Sequence, residues 1–265
     1  MKTLRFIGMT MVAILVCANF TSCSDDDDDS TFDGGSKIPT NTIYYETTDK
    51  IELRLKNEDV FGGAELKNNT YSTTNGYGIL EFDSEVTAIE SGAFKNEKTL
   101  SSITLPNSVV TIEDFAFGYC SNLESAILGN RVEKIGDHAF YCCRGLTSIT
   151  IPNSVTTIGD YAFEDCSGLE SITIPNSVTT IGRSAFYNCN LTSVTIGDGV
   201  TTIGRYAFGG CYFESIYVKS KTPAELWLSF NDYTLQNATL YVPKGSLDTY
   251  KNAYEWQEFE NIKEF

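Results

Sequence analysis

Leu146–Phe163 reads L-T-S-I-T-I-P-N-S-V-T-T-I-G-D-Y-A-F, and Leu169–Phe186 reads L-E-S-I-T-I-P-N-S-V-T-T-I-G-R-S-A-F. A third copy, L-T-S-V-T-I-G-D-G-V-T-T-I-G-R-Y-A-F, fills Leu191–Phe208. Self-similarity at a fixed period marks a repeat architecture, in which each unit hides its apolar side only against its neighbours. Outward from these copies, the word I-x-x-x-A-F places Ile89, Ile112, Ile135, Ile158, Ile181 and Ile203 in one slot, 23 residues apart four times and then 22.

Ahead of each such Ile stands L-x-x-I-x-I, as in Leu100-Ile103-Leu105, Leu123-Ala126-Leu128, Leu146-Ile149-Ile151 and Leu169-Ile172-Ile174. This is the kernel of a leucine-rich repeat. Its alternating half predicts a strand with Ile149 and Ile151 inward and Thr150 outward. Pro152 cannot donate to a ladder and ends the strand, and Asn153 takes the turn. Val155 and Ile158 bring the chain back inward, and Ala162-Phe163 open a tight helical turn ending near Cys166-Ser167-Gly168. The expected fold is a β-rich leucine-rich-repeat solenoid of parallel strands and short helical turns, capped at both ends. Stacking predicts one interior column through Phe117, Phe140, Phe163 and Phe186.

The full wording, I-T-I-P-N-S-V-T-T-I-G-x-x-A-F-x-x-C, resembles the BspA-like leucine-rich repeats of bacterial surface proteins over roughly residues 82–220. It departs from commoner leucine-rich repeats in the place of its Asn: Asn107, Asn130, Asn153 and Asn176 come one residue early. The resemblance implies a surface solenoid engaged in adhesion or ligand binding.

The flanks divide the chain further. Residues 1–22 carry Lys2 and Arg5, an apolar run from Phe6 to Ala18 and then small residues, the pattern of a secretory signal peptide. Phe20-Thr21-Ser22-Cys23 resembles a bacterial lipobox, which implies a lipid on Cys23, the chain's one expected membrane attachment. Residues 23–36, with five consecutive aspartates from Asp25 to Asp29, read as an extended acidic tether. Its position resembles the export signal of Bacteroidetes surface lipoproteins, implying lipid anchoring on the outer membrane and display on the cell surface. Residues 37–77 form an expected N-terminal cap with strands at Thr42–Tyr45 and Lys50–Leu55. Residues 78–220 are the repeats, and 221–265 a C-terminal cap of a strand plus a short helix. There Ser246 suits an N-cap, and Leu247, Tyr250 and Tyr254 share one apolar face. The run A-T-L-Y-V-P-K-G-S-L-D-T-Y-K is similar to the terminal segment of many proteins of this family.

Charge and cysteines exclude several chemistries. A net charge of −16 argues against a nucleic-acid partner. Five of the eight cysteines, Cys120, Cys143, Cys166, Cys189 and Cys211, fall three residues after the Phe of A-F. One slot used repeatedly is a core position, where a thiol acts as a small hydrophobe. Cys142 alone is left over beyond the leader. His138, the single histidine, invites a Ser-His-Asp reading beside Asp137. Yet Asp137 repeats as Asp114 and Asp160, and His138 shares its slot with Phe115, Tyr161, Ser184 and Tyr206. No catalytic, metal or cofactor residue is expected, so the chain reads as a non-enzyme.

Binding is the better-supported reading. Outward strand positions carry Ser102, Ser125, Ser148, Ser171, Ser193 and Ser215, followed two residues on by Thr104, Ile127, Thr150, Thr173, Thr195 and Tyr217. Ile127 and Tyr217 break that hydroxyl lattice and are candidate anchors. Tyr119, Tyr141 and Tyr187, in the turn after A-F, could stack on a sugar or a peptide. The expected partner is a protein or a glycan met by a monomer. The alternative is a structural or accessory subunit of a larger envelope assembly.

Overall fold

The computed structural model describes residues 38–55 and 60–265; the leader, Cys23 and the acidic stretch lie outside them. The described chain winds into a parallel-strand solenoid of about eight turns. One ladder consists of seven two-residue strands at the T-I step of each coil, from Ala88–Ile89 to Glu225–Leu226. Ile158 pairs with Ile135 on one side and Ile181 on the other, so the inward Ile repeats at one register and is wholly buried.

The longer strands of the L-x-x-I-x-I kernel form the second ladder, which is interrupted. Leu100–Thr104, Ser125–Ile127 and Ser148–Ile149 belong to one sheet. Ser171–Ile174, Ser193–Ile196, Ser215–Val218, Thr239–Val242 and Asn261–Glu264 belong to another. Ser148–Ile149 is a short strand, and Ile149 is half-buried rather than fully inward, although Ile151 beyond it is buried.

The interior repeats as the sequence predicts. Phe94, Phe117, Phe140, Phe163, Phe186 and Phe208 are fully buried and stack in one column, with centroids 5.0–5.4 Å apart and planes within 11°. Phe230 extends the column, 5.4 Å from Phe208. Beside it runs a thiol ladder. Cys120, Cys143, Cys166, Cys189 and Cys211 are buried and free, and each Sγ–H donates to a Phe carbonyl of the coil before, at 3.0–3.2 Å. Burial pushes these thiols up, Cys120 and Cys211 to about 12. They are inert donors that satisfy carbonyls on a dry interior.

The corner after T-I differs from the expected helical turn. Tyr161 (φ 58°) and Asp165 (φ 59°) adopt the left-handed region, which stops a right-handed helix from propagating. The corner is a run of i→i+3 turns, with Glu164 N–H on the Tyr161 carbonyl and Cys166 N–H on that of Phe163. Alternate amides point to the next coil instead, as Phe163 N–H does to the Ala185 carbonyl at 2.7 Å. Coils approach so closely here that a Cβ on Gly182 would lie 2.5 Å from the Gly159 carbonyl carbon.

At the N-terminal end, β1 (Thr42–Thr47) pairs antiparallel with both β3 (Tyr77–Phe82) and Leu100–Thr104, and β2 (Leu66–Ser72) pairs with β3. The strand expected at Lys50–Leu55 does not form, because both edges of β1 are already occupied. That run is pinned by side chains: Leu53 N–H donates to the Tyr45 hydroxyl, and Asn69 Nδ2 to the Leu53 carbonyl. Thr104 is not outward-exposed as expected but 4% exposed. Tyr44 is its cross-strand partner, and Tyr77 packs edge-on to Tyr44 at 5.8 Å.

At the other end, Asn231 caps the helix Asp232–Asn237 by accepting from Thr234 N–H. The helix Leu247–Lys251 begins after Ser246 without a side-chain cap bond. It is too short to carry the expected three-residue face. Tyr250 is buried, whereas Tyr254 lies past the helix end and is 76% exposed.

Candidate functional site

The corner of each coil carries slots whose residues change from coil to coil. The slot just before A-F holds Gly92, Phe115, His138, Tyr161, Ser184 and Tyr206. Phe115 and His138 stack at 4.4 Å, and His138 and Tyr161 at 4.7 Å. Gly92 and Ser184 supply no ring, and there a cation fills the place. Lys95 Nζ sits 4.0 Å over Phe115, and the Arg183 guanidinium 4.7 Å over Tyr161. The three-ring ladder is therefore closed at both ends by positive charge, the arrangement that the ring quadrupoles favour.

This geometry removes His138 from the candidate catalysts. Its imidazole is held between two aromatic faces, and burial lowers its pKa against the opposing pull of Asp137, Asp114 and Asp160. The aspartates are themselves engaged. Asp114 accepts the Asp137 amide at 2.9 Å, Asp137 that of Asp160 at 2.8 Å, and Asp160 that of Arg183 at 2.7 Å. Among the described residues no group of three His, Cys, Asp or Glu side chains could hold a metal ion.

The three expected tyrosines do not act as one group. Tyr119 lies two residues after its A-F Phe, whereas Tyr141 and Tyr187 lie one after. The offset brings Tyr119 edge-on to Tyr141 at 5.1 Å, and Tyr141 also meets His138 at 5.5 Å, so both join the ring ladder. Desolvation, with Cys142 and Glu164 nearby, pushes the Tyr141 hydroxyl up to about 12. Tyr187 stands two coils further on. Its ring rests on Gly209, where a Cβ would fall 2.9 Å from Cδ2, and no other ring contacts it among the described residues. Cys142 is buried and unbridged, with Sγ 3.4 Å from Asp165 Oδ2.

Ile127 and Tyr217 share the long-strand face but sit four coils apart, on opposite sides of the ladder interruption. Ile127 is half-buried. Tyr217 is half-buried because its face is taken by Tyr241, stacked at 4.5 Å, with Phe265 edge-on at 6.0 Å. Tyr241 was findable: it continues the outward register of Tyr217. The last coils and the C-terminal segment carry further exposed aromatics. Tyr206, Tyr212, Trp227, Tyr233 and Tyr254 all project to solvent, Trp227 at 59%.

Residues 87–215 match the family described as the BspA type leucine-rich repeat region, in six copies. They are BspA-type leucine-rich repeats. No curated protein sequence is significantly similar to the chain. Among solved structures, the pneumococcal vaccine antigen PcpA is 22% identical over 67% of this chain and 42% of its own, with a TM-score of 0.52, a likeness of fold. The leucine-rich repeat protein of T. pallidum is 27% identical over 53% of this chain and 73% of its own, TM-score 0.43. A leucine-rich cell surface protein from Faecalibacterium prausnitzii is 26% identical over 60% and 59%, TM-score 0.44. The BspA-type repeats are a generic interaction scaffold, and no enzymatic family is indicated. No helix among the described residues is long and apolar enough to cross a membrane.

Proposed function

We propose that the chain is a cell-surface lipoprotein, anchored in the outer membrane through Cys23, whose BspA-type repeats bind a protein or glycan partner. The carrying observation is the contrast between slots: interior positions repeat from coil to coil, while the corner slots change and collect exposed aromatics toward the C-terminal coils. Aromatic side chains left in water at one edge are the composition of a recognition surface. The lipobox-like Phe20-Thr21-Ser22-Cys23 and the aspartates after it support the address, with the acidic run spacing the solenoid from the lipid.

Two experiments test this reading. Protease treatment of intact cells should degrade the solenoid, and protection until lysis overturns surface display. Capture of partners from host matrix or mucin by the full chain should weaken for variants of the corner tyrosines or of the strand face. If Tyr187→Ala, Tyr119→Ala with Tyr141→Ala, and Ile127→Ser with Tyr217→Ser all leave capture unchanged, these surfaces are not the binding site.

A further inference from the structure

The slot that is aspartate in three successive coils, Asp114, Asp137 and Asp160, becomes arginine in the next two, Arg183 and Arg205. These two are register neighbours, since Ser184 N–H donates to the Arg205 carbonyl at 2.9 Å. Each guanidinium is laid over a tyrosine, Arg183 on Tyr161 and Arg205 on Tyr206, both at 4.7 Å. Arg205 also donates to the Tyr206 hydroxyl at 2.9 Å. Neither forms an ion pair with a carboxylate among the described residues, and both side chains are exposed. In a chain of net charge −16, two arginines thus stand on adjacent coils, each held over a ring face and neither with a carboxylate within 4 Å among the described residues, although Glu164 lies within electrostatic reach of Arg183. Stacking restricts the guanidiniums while leaving their N–H edges free to donate.

The surroundings narrow what would bind. Tyr187 lies in the same two coils, its ring edge atoms Cδ2 and Cε2 against Gly209, 39% exposed and with no ring or cation stacked on it among the described residues. Tyr206 is 41% exposed beside it. Backbone groups here are already used: Ser184, Phe186 and Asn188 donate to the next coil, as do Tyr206 and Phe208 to the one beyond. An extended peptide would find no free backbone edge, so recognition must come from ring faces, hydroxyls and guanidiniums. That set matches a pyranose ring carrying an anionic group.

We propose that Arg183, Arg205, Tyr187 and Tyr206 form a binding site for an acidic sugar, its carboxylate or sulfate bridged by the two guanidiniums and its ring seated on Tyr187. This rests on reading the chain as a binding scaffold and names the ligand class for one edge of it. The two guanidiniums act on a ligand despite the acidic whole, because carboxylates farther than about 8 Å away are largely screened at physiological salt.

The test is titration calorimetry of the full chain with oligosaccharides ending in glucuronate, sialic acid or 6-sulfated galactose, each against its neutral counterpart. The expected result is binding of at least one acidic sugar about tenfold or more tighter than its neutral form, weakening as salt rises. Arg183→Gln and Arg205→Gln should each lower that affinity about tenfold, and Tyr187→Ala about fivefold. Lys98→Gln, a remote substitution with the same charge change, should leave it unaltered. Circular dichroism confirms that each variant remains folded. No binding to any acidic member at millimolar concentration, equal affinity for acidic and neutral forms, or tighter binding of hexaglutamate overturns the proposal. Capture of a partner that survives Arg183→Gln with Arg205→Gln would sink this site while leaving the scaffold reading intact.

Discussion

The interior column and the corner ladder are both stacks of rings at roughly one coil spacing, yet they obey different rules. Inside, Phe94 through Phe208 are the same residue six times, accompanied by thiols that donate to Phe carbonyls. At the corner, glycine, phenylalanine, histidine, tyrosine, serine and tyrosine follow one another, and cations complete the stack where rings are missing. The inner stack is fixed by volume, because an interior at crystal-like density tolerates neither a gap nor an added atom. The outer stack is fixed only by surface chemistry, so its composition is free to drift and to acquire a ligand.

Alkaline pH should separate the two most sharply. The buried thiols have folded-state pKa values well above the unfolded value near 8.5. Above that value the unfolded chain sheds protons that the native state retains. Stability is therefore complete below about pH 8.5 and falls as pH rises toward about 12, by up to ~1.4 kcal/mol per pH unit for each thiol. Urea unfolding under reducing conditions at pH 8 and pH 10 measures this. Cys166→Ala should flatten the slope by about one proton, and an unchanged slope would show the thiols titrating in the native state.

Single-ring deletions give the next largest contrast. Phe163→Ala leaves a hole at the centre of a column that cannot collapse, at a cost of about 3–5 kcal/mol. His138→Ala removes a ring from between two others at a half-exposed corner and should cost about 1 kcal/mol or less. Equal losses would mean that the corner ladder is part of the core. Acid adds a smaller effect of defined sign. Because the folded pKa of His138 is depressed, its contribution is present above about pH 6.5 and is lost as pH falls below that. His138→Phe should abolish this slope, as read from melting curves between pH 7 and pH 5.

What the sequence made legible follows the same division. The Phe column, the inward Ile of each T-I step and the thiol slot could be read because a packing constraint writes the same letter at every turn. Phe230 was harder to see because its coil has Ser229 where the others have alanine. The corner ladder was not legible, since it depends on left-handed backbone at Phe115, His138 and Tyr161, and of these residue types only His is enriched in that region. Thr104 was misread as outward because the strand covering it, β1, lies more than fifty residues upstream and outside the repeat. Tyr254 was misread because helical periodicity was extended past the point where the helix stops.

The smallest expected effect lies where the two ladders themselves part company. Across the boundary between the coils at Leu146 and Leu169, the T-I ladder continues through Ile158 and Ile181, and the Phe column through Phe163 and Phe186. The long-strand ladder does not. The amides of Glu124, Thr147, Thr192 and Glu214 each donate to the preceding coil at 2.8–3.0 Å, whereas that of Glu170 has no partner among the described residues. Pairing on two sides of a coil keeps the third from separating far, so the interruption exposes Ser148, Thr150, Ser171 and Thr173 without unstacking the core. A backbone amide facing water exchanges without prior unfolding, whereas its paired equivalents need an opening event. Hydrogen exchange should therefore be faster for a peptide spanning residues 168–172 than for one spanning 190–194, with no difference between residues 156–158 and 179–181. Equal protection at Glu170 and Thr192 would mean that the long ladder closes in solution and the solenoid has one unbroken strand face.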